Sequence, residues 1–243
     1  MNYHISKKAK IGHNVKIGPG AIINDNVEIG DYCHIGAYVT IGEPSMGYYK
    51  NKDHEFKRTV IGANSIIRSH SVIYEDVHIG NSFQSGHYSM IRERTFIGDY
   101  SRVGSYSELF GNNLSIGNYV HIHSKVGIGE GTLIEDYVWI FPFTFITNDK
   151  YPPHSCLQPC KLLSYSIILS GVLIMPGVQI GRHSLVGARA LVTKDVADER
   201  LVIGNPAKDV KSVRDIMDAN GMPAYPWREY LREDRGYPWQ TTE

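Results

Sequence analysis

Cysteine is scarce, with three in 243 residues (Cys33, Cys156 and Cys160), an odd and sparse set that excludes a disulfide-stapled secreted scaffold. Charge of neither sign dominates: 25 Lys+Arg stand against 25 Asp+Glu, and the isoelectric point is near 7.2. Such a chain has no overall field for gathering phosphate backbones or anionic lipid, so nucleic acid is not expected as a partner. Long apolar runs are missing too. The longest, SIILSGVLIMPGV, is interrupted by Ser170, Gly171, Pro176 and Gly177, so no membrane span is expected. The opening MNYHISKKAK lacks the apolar stretch of a signal peptide, and with the few cysteines it reads as a reduced, cytoplasmic protein.

What is present is a period of six. An aliphatic residue recurs at Ile5 and every sixth position to Ile41, again from Ile61 to Ile79, and after position 85 through Ile91, Ile97, Val103 and Leu109. One extra residue in LFGNNLS shifts the phase; the ladder then runs from Ile116 to Ile146, pauses, and resumes from Ile168 to Val192. Six matches neither the 3.6 of a helix nor a long alternating strand, and it is too regular for the variable spacing of a β-sandwich. Each unit is therefore a very short strand followed by a corner. Three such strands close a triangular coil, and stacked coils bury a continuous aliphatic column while pairing backbone groups from coil to coil. About nine coils at ~4.8 Å give a prism roughly 43 Å long. Gly at the second place is expected to relax the backbone, and the small residue at the fifth to fit a tight corner.

Two interruptions are too long to be corners, 43–59 and 150–166, and loops of this length in a compact repeat are usually functional or disordered. The first carries Tyr48, Tyr49, Lys50 and Lys52, an aromatic and cationic set suited to a nucleotide. Beyond the ladder, DVKSVRDIMDANG has helical spacing, with Val210, Val213, Ile216 and Met217 on one face and Gly221 as a stop. That predicted helix is expected to cap the last coil, whose strand edges would otherwise be open. The tail, with Trp227 and Trp239 in repeated YPW elements, is expected to pack on a neighbouring subunit. The division is thus a β-helix over 1–208 and a helix with an aromatic tail over 209–243.

Among the inward places of the ladder only Ser85 is not aliphatic, and His87 follows two residues later. A buried column gives up roughly 1.5–3 kcal/mol of packing where an aliphatic shrinks to Ser, which points to function nearby. Counting hexads in threes puts Gln84, Arg102, His121 and Trp139 in one column, Gly86, Gly104 and His123 in another, and His87 over Ser105 and Ser124. Glu93, Gly111, Glu130 and Asn148 stack along the next corner.

The IGxxV hexads, GARALVTKDV at 187–196 and VIGNPAK at 202–208 make the chain resemble, over most of its length, the hexapeptide-repeat acyltransferases. The resemblance implies an all-β left-handed parallel β-helix and a homotrimer. Handedness comes from the resemblance alone, since the general rule for parallel crossovers favours the right hand. SGHYSMIR is similar to the AHDCxIG and AHNVxIG segments of UDP-sugar and amino-sugar acyltransferases, which implies that His87 is the general base, although Tyr88 replaces Asp or Asn and Arg92 replaces Gly. TND at 147–149 resembles the amino-sugar N-acetyltransferases rather than the O-acetylating relatives, and adds Asn148 and Asp149 as catalytic candidates. By the same likeness Ser170, Ala188, Thr193 and Lys194 are carried over as coenzyme A contacts, with Lys208 and Lys211 as further phosphate partners. Glu93, His121, His123, Tyr48 and Tyr49 are candidates for binding the acceptor.

The expected activity is acyl transfer, with acetyl-CoA the default donor, to a nucleotide-linked amino sugar destined for surface polysaccharide. No metal is expected. The alternatives are an O-acetyltransferase, a non-catalytic β-helix that builds assemblies, and a zinc enzyme of the γ-carbonic anhydrase type using His87, His121 and His123. In that zinc family the last two histidines stand five apart; here they stand two apart, and their rings are expected on opposite faces of the strand.

Overall fold

The computed structural model describes residues 3–51, 53–153 and 156–225. Strands of two to five residues alternate with corners and enter three sheets in turn, one of 10 strands beginning at His4–Ile5, one of 9 beginning at Lys10–Ile11, and one of 11 beginning at Lys16–Ile17. Nine coils close completely, and Leu191–Val192, a bridge at Val196 and Arg200–Ile203 begin a tenth. Pairing is parallel from coil to coil, as in Gln84↔Arg102↔His121↔Trp139. The whole winds as a left-handed parallel β-helix.

The sequence period explains the core directly. First-place aliphatics such as Ile61, Ile97, Ile128 and Ile174 are fully buried, and the fifth-place residues are buried with them. The fifth place is therefore a second inward position rather than a corner. It is small because two inward side chains per side share one triangular section. At several of the places where it is Ser, the hydroxyl reaches a corner carbonyl of the next coil, as Ser101 does to Gly117 O (2.8 Å) and Ser107 to His123 O (2.9 Å).

The second-place glycines also have a different role from the expected one. The left-handed backbone falls at the fourth place, on residues such as Tyr38 (φ 56°) and Tyr88 (φ 56°). At Gly36 a Cβ would lie 2.6 Å from the Ser69 nitrogen, so glycine is required by the approach of the next coil and not by its own torsion. Isolated L-residues avoid φ > 0, but stacking over-determines it here. Along one corner Tyr100, Tyr119, Tyr137, Tyr165 and His183 form a column of near-parallel rings 4.7–5.0 Å apart, the coil spacing itself.

Both interruptions differ from their expected bounds. The first lies between Thr40–Glu43 and Thr59–Ile61 and holds a short helix, Met46–Lys50. The second ends earlier than expected, because Lys161–Leu162 is a ladder strand with Leu162 fully buried, and chain 163–166 is an ordinary corner. The expected helix beyond the ladder is not formed. Lys208–Ser212 runs antiparallel to Arg200–Ile203, and Val213–Asp215 is a single 3₁₀ turn whose N-cap is Ser212. The open edge of the last coil decides this: its unpaired backbone groups are met by a strand, reinforced by a two-pronged contact of Arg200 with the Asp209 carboxylate (2.6–2.9 Å), where a helix would have left them unmet. Trp227 and Trp239 lie outside the described residues, as does Lys52.

The first loop is anchored by a residue that pattern reading does not single out. Glu75 is 1% exposed and accepts from Ser45 N–H (2.9 Å), the Ser45 hydroxyl, His54 Nε2 (2.9 Å) and Lys57 N–H (2.9 Å). Burial pushes its carboxyl upward, but the donors from Ser45, Lys57 and His54 prevail and hold it below the usual carboxylate value. A lowered folded value means that this anchoring is present above about pH 4.5 and is lost as pH falls through the depressed folded value. Glu75→Gln should therefore release the loop at neutral pH, with amide exchange at Ser45 and Lys57 accelerated at least tenfold, since a charge-assisted bond contributes about 1.5–3 kcal/mol. Unchanged exchange would show that the loop is held elsewhere.

Candidate active site

His87 follows the strand Gln84–Ser85 at the corner where the chain passes from the third sheet to the first. Its N–H donates to Ser105 Oγ one coil on (2.9 Å), and its Nδ1 is 2.7 Å from Ser69 Oγ one coil back. The side chain lies between two clefts on the third sheet. One, of about 490 Å³, is lined by Arg68, Gln84, Arg102, His121 and His123 on the C-terminal side. The other, of about 530 Å³, lies over Lys16, His34, Ile66 and the flat stretches at Gly18 and Gly36 on the N-terminal side. Arg68 and His87 line both.

His121 and His123 do not diverge as expected. Residues two apart in a strand share a face, and with Ile122 buried inside, both imidazoles lie outside and stack with centroids 4.6 Å apart. His123 stacks again on Phe141 (4.5 Å), and its Nε2 is buried without a protein hydrogen-bond partner. Burial, and then the nearby Arg102 charge, push its pKa below the ordinary imidazole value, and Arg68 and Arg102 bring fixed positive charge to this cleft. No group of three His, Cys, Asp or Glu among the described residues is arranged to hold a metal ion.

The remaining candidates fall along two edges of the first sheet. Ser170 and Ala188 continue the corner of His87: Gly171 N–H donates to Pro142 O and Arg189 N–H to Ser170 O (2.9 Å each), so the line climbs five coils, roughly 24 Å at ~4.8 Å per coil. Lys208 stands at the start of the closing strand above them, and the Lys211 ammonium donates to Asp215 O (3.2 Å). Glu93, Asn148, Asp149, Thr193 and Lys194 lie on the opposite edge, where the first sheet passes to the second. There Asn148 Nδ2 donates to Glu130 O (3.4 Å), and Glu93 is paired with Arg92 (2.8 Å). The first loop emerges on this same edge. Its Tyr48 packs against His54 and Phe56 (5.8 Å to each) while Tyr49 is 67% exposed. Within one chain, His87 therefore meets neither Asn148 and Asp149 nor Lys194. Arg68, Ser69 and Arg102 are site residues that pattern reading missed as candidates. Ser69 was recoverable, since it precedes His87 by eighteen residues, one coil.

Residues 8–43 match the family model described as bacterial transferase hexapeptide (six repeats). The chain is similar to the bifunctional protein GlmU of Dichelobacter nodosus, 30% identical over 155 residues, 60% of this chain and 30% of that protein. It is also similar to a chloramphenicol acetyltransferase of Klebsiella aerogenes, 33% identical over 108 residues, 41% of this chain and 51% of that protein. It thus spans between about a third and a half of the length of these curated relatives. Among solved structures, the Arabidopsis UDP-N-acetylglucosamine acyltransferase superimposes with a TM-score of 0.70 over 86% of this chain and 72% of that one, at 14% identity, a likeness of fold. With the six-residue ladder, these matches make the chain similar to hexapeptide-repeat transferases, and its fold is that of the left-handed β-helix.

Proposed function

We propose that the protein is an acyl-CoA-dependent N-acyltransferase, acetyl-CoA being the default donor, that acts on a nucleotide-linked amino sugar for surface polysaccharide. The observation that carries the reading is His87, ring-bonded to Ser69 at the junction of two clefts with cationic residues on either side. A thioester is already activated, so the protein has to hold an amine against the carbonyl carbon and manage one proton. In this reading His87 takes that proton as the C–N bond forms, the C–S bond breaks, and the proton passes to the departing CoA thiolate. Arg68 and Arg102 are suited to the diphosphate of the sugar nucleotide. The line through Ser170 and Ala188 is suited to the pantetheine arm, with Lys208 at its phosphate end. The names of the curated relatives, among them a chloramphenicol acetyltransferase and a protein named putative serine acetyltransferase, support acetyl transfer as the reaction type.

The split of candidates between two edges of one sheet gives the reading a quaternary requirement. Asn148, Asp149, Thr193 and Lys194 can join His87 only if the edge of a second copy meets the His87 corner of the first, and a closed ring of three does this at every site. Light scattering should therefore give about three times 27.3 kDa; a fully active monomer would remove the shared site. Lys194→Ala should raise KM for acetyl-CoA roughly tenfold, the worth of one charge-assisted bond, with acceptor KM unchanged. An unaltered KM for acetyl-CoA would take the residue out of phosphate binding. The reading itself is tested by offering acetyl-CoA with a panel of nucleotide-linked sugars carrying the amine at different ring positions, alongside their hydroxyl counterparts, and following free thiol. Release with amino sugars and not with hydroxyl sugars is expected; the reverse pattern would make the protein an O-acyltransferase.

A further inference from the structure

Ser85 breaks the aliphatic ladder, and its contacts say why. Its hydroxyl is buried (2% exposed), receives the N–H of Arg68 (2.8 Å) and donates to Gly86 O (3.0 Å). Two further buried hydroxyls, Ser71 and Ser89, reach the same oxygen at 3.0 and 3.1 Å. Elsewhere a corner carbonyl of this kind receives one such hydroxyl, as Gly117 and His123 do; among the described residues Gly86 O alone receives three. A carbonyl has two lone pairs, so two hydroxyls hold it at any instant while the third turns to a neighbour, Ser89 to Gly104 O (3.2 Å) or Ser71 to Ser85 (3.4 Å). That carbonyl belongs to the peptide bond whose N–H is His87's own, and the N–H is fixed in turn by Ser105 Oγ (2.9 Å). The peptide plane before His87 is thus gripped on both sides, and its ring is gripped by Ser69. The sequence neighbour offers no substitute: the Tyr88 ring is committed to a stack between His70 (4.7 Å) and Tyr106 (5.0 Å).

We propose that Ser69, Ser71, Ser85 and Ser89 are positioning residues for His87. The three buried hydroxyls set the direction in which the imidazole leaves the backbone, and Ser69 Oγ accepts from His87 Nδ1–H, which leaves Nε2 as the basic atom. This rests on the reading of His87 as the general base. The inward place is given to Ser because an aliphatic there would leave the Arg68 N–H without its acceptor and take away one of the three hydroxyls that share the Gly86 carbonyl, and Phe83, fully buried two residues earlier, restores bulk to the column.

The test uses the full chain labelled with ¹⁵N-histidine at alkaline pH, with the His87 signals identified by their loss in His87→Asn. The wild type should show His87 as the Nδ1–H tautomer, and Ser69→Ala should shift it toward Nε2–H. Ser85→Val restores the ladder and removes the hydroxyl. It should leave the melting temperature unchanged or higher and KM for acetyl-CoA within about twofold. It should lower kcat roughly 10–100-fold, measured with the panel member that gives the most thiol release, and Ser85→Thr should recover most of the loss. In a His87→Asn background Ser85→Val should cost nothing further. A wild-type Nε2–H tautomer, a Ser85→Val kcat within twofold of wild type, or a loss that persists undiminished without His87 would each overturn the proposal. If the wild-type tautomer and its shift in Ser69→Ala are as stated while His87→Asn itself costs less than tenfold, the base assignment fails and only the orientation of the His87 ring by Ser69 stands.

Discussion

His87→Asn is expected to lower kcat by roughly 10²–10⁴-fold, the contribution of a positioned base, while the assembly and acetyl-CoA binding remain. The substitution keeps a polar side chain beside Ser69 Oγ and leaves the backbone contacts to Ser105 and Gly86 in place, so the loss reports proton transfer and not a collapsed corner. Light scattering checks the assembly, calorimetry with acetyl-CoA checks the donor site, and stopped-time thiol assays give kcat. A loss below about tenfold on the same scale would mean that the amine arrives already neutral, or gives up its proton elsewhere. Asn148 and Asp149 would then be left to orient the acceptor, and His87 would be a polar corner residue beside Ser85. Because those two residues stand on the other edge of the first sheet, that outcome would still require a second copy at the site.

The ladder was legible because a hexad writes its burial into one position: each first-place aliphatic from Ile23 to Val192 is at most 3% exposed. It was misread where that position loses its usual company. Leu162 sits in LLSYSI, with no glycine after it and a proline-rich stretch before it, and was absorbed into the neighbouring loop. The stretch after GNPAK was misread for another reason. Apolar residues at 210, 213, 216 and 217 suit a helix, but propensity is a weak prior beside an open strand edge that has to be paired. At the site, Ser85 and His87 were visible as a break in a pattern. Ser69 and Arg68 were not picked out because outward Ser and Arg are common on any outer face, and Arg102, though set by register in the Gln84 column, carried no signal that made it a candidate. The opposite-face expectation for His121 and His123 failed on strand geometry itself, since alternation sets residues two apart on one side.

The second large effect is expected in the core, at a hexad remote from His87. Ile97 is fully buried, pairs in register with Ile79 on one side and Ile116 on the other, and belongs to the continuous aliphatic core of the coil stack. Ile97→Ala should cost about 2–5 kcal/mol, because strands fixed by hydrogen bonds such as Gly98 N–H to Ile116 O (2.8 Å) cannot close over the space left behind. The adjacent Gly98→Ala tests the opposite limit. Its Cβ would lie 2.6 Å from Asn118 Oδ1 and 2.7–2.8 Å from the backbone of Gly117 and Asn118, so coil spacing has to open and about 1–3 kcal/mol is lost to overpacking. Both changes should lower the denaturant midpoint with kcat per folded site kept within about twofold, since neither residue lines the clefts at His87. A midpoint unmoved by Ile97→Ala would mean that the inward column does not carry the stability of the coil stack, and the buried hydroxyl ladder of the fifth places would have to carry it instead.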